Sequence, residues 1–395
     1  MWNARDWKGF CGGSAAVSRP TAGRGRKTRC RGGFGEGSIG GVGGGFVSGV
    51  RLAGEFFAEV VRPLLEAEFP GVGYAAALIG AGSEVLGFDS ERSTDHDWGP
   101  RLLVFLDDSD AERLGVAVDE MLGRRLPEVF GGYPVAFGVT RDPGSGIGHR
   151  VEVFGLGGWL AGQLGFDPRG GVTVPDWLAA PWQRLAEVTG GAVFHDGTGG
   201  LTRARTALSW YPRDVWRYVL SCQWSRIAEE EAFPGRCAEA GDELGSVVVT
   251  TRLARDLMRL WLLMQRSYPP YSKWLGSAFA RSPGGERLGG HLAAALAADG
   301  WTAQERELGL AYRIAAEAHN RLGLTGPLDP GTRPYFSRPY QVIGAGRFAA
   351  ALSGAITDPL VRRLGPAGTA DQVMDSTPAL GELRYAKAVT SVSGI

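Results

Sequence analysis

The chain has 395 residues, with 42 Lys and Arg balanced by 42 Asp and Glu, and it is 44% hydrophobic and 21% charged. That is enough for two or three ordinary domains with a real core. A formal net charge of zero argues against the broad basic footprint of a nucleic-acid binder, so no nucleic-acid template is expected. No run of about 18 apolar residues appears, so no membrane span is expected. The cysteines Cys11, Cys30, Cys222 and Cys237 lack metal-ligand spacing and suggest a reduced, cytoplasmic protein.

Residues 1–46 are Gly- and Arg-rich and read as a disordered segment, or as a start placed too early. Their glycine run follows no strand and lacks Gly-Lys-Ser/Thr, so it is no phosphate loop. From Ser48 to Phe69 the pattern turns helical, with Leu52, Phe56, Val60 and Leu64 four residues apart. Tyr74 to Ile79 reads as a strand and leads into the small-residue turn Gly80-Ala81-Gly82-Ser83 and a short helix. A second strand is expected to carry Asp95 and Asp97 and to continue through Leu102 to Leu106.

On a strand, Asp95 and Asp97 would share one face and His96 would take the other. Two carboxylates so placed repel unless a cation lies between them, and an all-oxygen donor set suits Mg²⁺, with Mn²⁺ as the alternative. The turn at Gly82 and Ser83, with its backbone N–H groups uncovered, would cradle phosphates. A solvated acidic loop is the plain competing reading, but the apolar runs on both sides weigh against it. An EF-hand does not fit. Counted from Asp89 or from Asp95, the sixth position holds Thr94 or Pro100 and the twelfth holds Pro100 or Leu106, where Gly and Glu are needed.

A helix from Asp108 or Ser109 to about Arg125 is expected next, then a hairpin of Val135 to Thr140 and Arg150 to Phe154 around the loop Pro143 to Gly148. Glu152, between Val151 and Val153, is either at a sheet edge or pointing into a site. Leu156 to Leu164 and Trp177 to Val188 read as helices, and Ala192 to Asp196 as a strand. His149, His195, His291 and His319 read as structural. Past residue 200 the chain is mainly helical, with Arg213 to Glu231 and Gly245 to Tyr268 the strongest helices. Tyr268-Pro269-Pro270-Tyr271-Ser272-Lys273-Trp274-Leu275 follows. Lys273 there reads either as a phosphate contact or as a snorkelling surface lysine.

Gly82-Ser83, roughly a dozen residues, then Asp95-x-Asp97 resembles the signature of the polymerase-beta-like nucleotidyltransferase superfamily. The wider run Gly82 to Phe105, with Ser93-Thr94-Asp95-His96-Asp97-Trp98-Gly99-Pro100, resembles the domain of unknown function 4037 family more closely. So does the Tyr-x-Pro-x-x-Lys-Trp element, and the resemblance spans roughly residues 48 to 383. It implies an α+β fold: a small mixed-sheet nucleotidyltransferase-like domain at 47–200, a mainly α-helical bundle domain at 201–383 and a loose tail at 384–395. It implies catalysis and metal binding by Asp95, Asp97 and Glu152, the last departing from the more usual Asp, and nucleotide binding by Gly82, Ser83 and Lys273.

The implied activity is Mg²⁺-dependent transfer of a nucleoside monophosphate from a nucleoside triphosphate to a hydroxyl of a small-molecule acceptor. The alternative is a non-catalytic nucleotide-binding sensor or antitoxin-like interaction module. A template-directed polymerase fits poorly with a neutral chain.

Overall fold

A computed structural model describes residues 46–95, 97–137 and 148–392, although the side chains of Asp95 and of residues 389–392 are excepted. The expected disordered segment (save Phe46), His96, and most of the expected strand and loop between 135 and 148 lie outside the described residues. The described residues from Val47 onward belong to one compact unit.

Helix α1 (Gly49–Phe56) starts at Ser48, whose side chain accepts from the Arg51 amide. The chain then winds through a π-helical stretch, Phe57–Val61, into α2 (Arg62–Glu68). Pro63 explains the stretch: it has no N–H, and its ring crowds the preceding turn, so the hydrogen-bond ladder loosens there.

Strands β1 (Tyr74–Leu78) and β2 (Leu102–Leu106) follow, joined by the turn and acidic segment. After α3 (Asp108–Arg125) come the short pair β3 (Val129–Phe130) and β4 (Tyr133–Pro134), then β5 (Val151–Gly155). Next are α4 (Leu156–Leu164), α5 (Val174–Ala179), α6 (Trp182–Thr189) and β6 (Ala192–Asp196). The four-stranded sheet has the order β5-β2-β1-β6. β1 is antiparallel to both neighbours, while β2 and β5 run parallel with Leu103 opposite Glu152. It is therefore a small mixed sheet.

The hairpin expected around residue 145 reduces to a single antiparallel bridge, Ala136 to His149. β5 finds its partner in β2 instead, because α3 returns the chain in the parallel sense.

Both faces of the sheet are covered, which is why β1 and β2 are apolar throughout. Ala75, Ala77, Ile79, Leu103 and Phe105 join the large core that continues into the helices. Tyr74, Ala76, Leu102, Val104 and Leu106 pack on the other side with Phe56, Phe57 and Leu122.

The helical part continues with α7 (Gly200–Ala207), α8 (Arg213–Glu230), α9 (Phe233–Glu239), α10 (Glu243–Met264), α11 (Ser272–Arg281), α12 (Gly285–Leu296), α13 (Trp301–Arg321) and α14 (Gly346–Gly354). Helix α8 is buried around most of its circumference, with Trp216, Tyr218, Leu220, Trp224 and Ile227 all inside. It forms the axis on which α10 and α14 pack. The sheet-bearing and helical parts thus share one core, in an α+β fold with a mainly helical second part.

The helix expected over Trp177 to Val188 is two helices. Pro181 separates them and caps α6, because a proline cannot donate within a continuous helix. Of the tail expected at 384–395, the described residues lie in a helix, Leu383–Val392, and Lys387 Nζ ties it back to the Gly165 carbonyl at 2.9 Å. Among the described residues no helix is long and apolar enough to cross a membrane.

Candidate functional site

The sheet's pairing sets the site. Because β1 is antiparallel to β2 and β5 is parallel to it, the end of β1 and the beginnings of β2 and β5 emerge on one side. The Gly82–Ser83 turn leaves β1 there, Asp97 lies just before β2, and Arg150 and Glu152 open β5.

The residues after β1 form consecutive turns rather than the expected short helix. Gly80, Gly82 and Gly87 have φ of 88°, 147° and 69°. The Phe88 amide donates to the Ser83 carbonyl at 2.8 Å and the Gly87 amide to that of Glu84 at 3.1 Å. Among the described residues, the amides of Gly82 and Ser83 meet no acceptor, as the uncovered cradle requires.

Beneath the turn, Arg101 Nε donates to Glu84 Oε1 at 2.7 Å and Nη2 to the Ala81 carbonyl at 2.6 Å. The φ of 147° at Gly82 disfavours any side chain, and a Cβ there would also press on the Arg101 guanidinium and the Glu84 carboxylate.

Asp95 and Asp97 do not lie on a strand. Asp95 ends a 3-10 turn, Glu91–Asp95, and Asp97 has a left-handed φ of 48°. β2 begins only at Leu102, after Gly99 and Pro100. Aspartate tolerates the left-handed region, and Pro100 cannot donate to a ladder, so the chain turns where a strand was expected. The shared-face placement of the two aspartates is therefore corrected.

The acidic segment is pinned at its ends instead. Asp89 Oδ2 accepts from the Gly49 amide at 2.6 Å and from Trp98 Nε1 at 3.2 Å, and Trp98 packs edge-on to Tyr133 with centroids 5.0 Å apart.

Asp97 is 55% exposed, and its Oδ1 lies 3.5 Å from Arg150 Nη2. Arg150 sits over the Phe137 ring at 5.4 Å, and its Nε is buried with no acceptor. Glu152 occupies the edge strand β5. Val151 and Val153 face the α3 side and Phe154 the large core, so alternation puts Glu152 on the Phe154 side. Among the described residues no three carboxylate, imidazole or thiol side chains gather to hold a metal ion. The Asp95 side chain and His96 lie outside that set.

The second expected element reaches the turn from far along the chain. Phe88 stacks on Trp274 of α11, with centroids 5.0 Å apart and planes tilted by 14°. Lys273 Nζ lies 4.8 Å from the Trp274 centroid. Arg281, at the other end of α11, places its guanidinium 4.4 Å from the Phe88 centroid and donates to the Gly87 carbonyl. Sequence reading singled out Lys273 but gave no role to Arg281, Arg150 or Arg101, although Arg101 stands within the Gly82 to Phe105 run. His195 packs on Tyr74 at 4.5 Å, and His319 is buried in the helical core, away from this site.

This is an α+β protein whose mixed sheet gathers a small-residue turn, carboxylates and arginines at one end. Residues 177–275 match the family described as Domain of unknown function (DUF4037), in keeping with the resemblance drawn from the sequence. The match contains the Tyr-x-Pro-x-x-Lys-Trp element and stops short of the Gly82 to Phe105 run. No curated protein matches the chain. The structure is similar to the crystal structure of a nucleotidyltransferase-like protein from Exiguobacterium sibiricum, at 14% identity and a TM-score of 0.31, covering 67% of this chain and 78% of that one.

Proposed function

We propose that this protein binds a nucleoside triphosphate at the Gly82–Ser83 turn and transfers its nucleoside monophosphate to a hydroxyl of a small-molecule acceptor. The observation that carries the reading is the convergence of that turn, Asp97 and the start of β5 at one end of the sheet. The unmatched amides of Gly82 and Ser83 supply donors for phosphate oxygens, and the Ser83 hydroxyl, 3.4 Å from Ser93 Oγ, supplies another. Lys273 stands on the Trp274 ring, which stacks on Phe88, and it would add a positive charge for the distal phosphates.

The donor chemistry suits Mg²⁺ held by Asp95, Asp97 and Glu152. Asp97 is half-exposed and already lies near a cation, the Arg150 guanidinium, as a carboxylate needing counter-charge would. Bound there, Mg²⁺ would neutralise charge on the phosphates. Glu152 would accept the acceptor's hydroxyl proton. The remaining contribution of these side chains is positioning and charge compensation.

One observation favours a second reading, a nucleotide-binding module without turnover. Asp97 has a left-handed backbone and lies ahead of β2, a departure from two aspartates on one strand. Pyrophosphate release from each nucleoside triphosphate with Mg²⁺ and pooled cell metabolites separates the two. Transfer requires release that falls by about 10²–10⁴ in Asp97→Ala. Mg²⁺-dependent binding with no release favours the module, and release unchanged in the variant rules out the site.

A further inference from the structure

Helix α11 presents two side chains, Trp274 and Arg281, to the segment after β1. Trp274 lies flat against Phe88, with centroids 5.0 Å apart and a tilt of 14°. Arg281 reaches the same ring with its guanidinium 4.4 Å from the centroid and donates to the Gly87 carbonyl. Lys273 stands on the Trp274 ring. Phe88 is the residue whose amide closes the turn onto the Ser83 carbonyl, at 2.8 Å. It is 9% exposed, in a segment that is otherwise only turns.

The helix is itself firmly seated. It follows Pro269 and Pro270, the Tyr271 amide donates to Gln183 Oε1 at 3.0 Å, and the Tyr268 hydroxyl donates to the Leu208 carbonyl at 2.8 Å. Leu275 and Phe279 join the large core.

We propose that Trp274 and Arg281 are positioning residues that hold the Gly82–Phe88 turn in its phosphate-accepting shape from the helical part of the chain. The inference rests on reading that turn as the nucleotide site, and it assigns to α11 a role beyond the lysine contact. The physical reason is the conformational freedom of the turn. Three glycines with positive φ lie within eight residues, Gly80 to Gly87, and such a segment samples many shapes unless its ends are fixed. Arg101 and Glu84 fix it from below. The ring stack and the guanidinium–carbonyl bond fix its far end, so that the unmatched amides of Gly82 and Ser83 stay presented together.

The test uses the full chain and two variants, Trp274→Leu and Arg281→Gln, with Leu292→Ala in the helical core as a control for general destabilisation. Amide hydrogen exchange is read peptide by peptide, and ATP affinity is read by calorimetry with Mg²⁺. The expected result is exchange over residues 83–88 faster by about ten-fold in both site variants, with peptides of α13 unchanged. ATP affinity should fall by a similar factor, and Arg281→Lys should recover part of it. Unchanged exchange over 83–88, or equal loosening in Leu292→Ala, overturns the proposal. Faster exchange with full ATP affinity also overturns it, because the shape would then not matter to the ligand. If the wild type binds no ATP, the nucleotide reading fails by itself and the exchange data alone decide whether α11 holds the turn.

Discussion

Arg101 and Glu84 form a buried ion pair directly under the Gly82–Ser83 turn, with Arg101 Nη2 2.5 Å from Glu84 Oε1 and side chains only 13% and 4% exposed. The same guanidinium holds the Ala81 carbonyl, so it fixes the backbone and neutralises the acid together. Removing one partner strands the other in a dry site, which costs about 3–5 kcal/mol, whereas removing both is far cheaper. Glu84→Gln should therefore lower stability strongly, and adding Arg101→Met should restore part of the loss. Urea unfolding of the two single variants and the double variant checks this, and simple additivity would argue against a coupled pair.

Asp89 joins the first helix to the acidic segment. Its Oδ2 takes both the Gly49 amide and the Trp98 indole N–H. Asp89→Ala leaves two donors without their acceptor and should cost about 1–3 kcal/mol. Asp89→Asn keeps one acceptor oxygen and should cost less. Thermal unfolding gives the ranking, and equal melting temperatures for the three proteins would show that the joint is not structural.

Lys273 is exposed, with its amine over the Trp274 ring. Lys273→Met should change stability by less than about 1 kcal/mol while raising the dissociation constant for a nucleoside triphosphate by about ten-fold. A variant that binds as tightly as the wild type marks this lysine as an ordinary snorkelling side chain.

Two buried groups set opposite pH dependences. Burial pushes Glu231 up to about 7 from 4.5, although its carboxylate accepts from the amides of Gly344 at 3.0 Å and Ala345 at 3.1 Å. A raised carboxyl favours folding below about pH 4.5, and that contribution is lost as pH rises through about 7. Burial lowers His319 to about 4 from 6.5. Its Nδ1 accepts from Trp224 Nε1 at 3.2 Å, so the proton sits on Nε2, facing Thr325 Oγ1 at 3.1 Å. Its contribution is present above about pH 6.5 and is lost as pH falls through about 4. Glu231→Gln removes the first slope. Relative to that variant, the wild type should lose on the order of 3 kcal/mol between pH 4.5 and 7.5. Urea unfolding at several pH values reads it, and a constant difference would contradict the assignment.

The elements with clear apolar patterning were legible in the sequence. α4 falls at Leu156–Leu164 as expected, and β2 occupies only the Leu102–Leu106 end of the strand expected from Asp95 onward. The two strongest helices are α8 and α10, although α10 ends at Met264 rather than Tyr268. What misled was local chemistry that overrides a pattern. Pro181 divides one apparent helix. Asp97 takes a left-handed turn ahead of Pro100, and the acidic segment therefore never becomes a strand.

The site was legible only where it is written as a motif. Gly82, Ser83 and Lys273 stand in recognisable spacings. The arginines around them carried no role in that reading, because Arg101 and Arg281 reach the turn and Arg150 reaches Asp97 through sheet pairing and helix packing that a linear sequence does not display.

The most direct measurement is a calorimetric titration of each nucleoside triphosphate into the full chain, with Mg²⁺ or with chelator, for wild type and Asp97→Asn. Binding that requires Mg²⁺ and weakens by at least about ten-fold in the variant is the expected result. Binding of equal strength in chelator, or unaffected by Asp97→Asn, would contradict a metal-assisted nucleotide site at this end of the sheet.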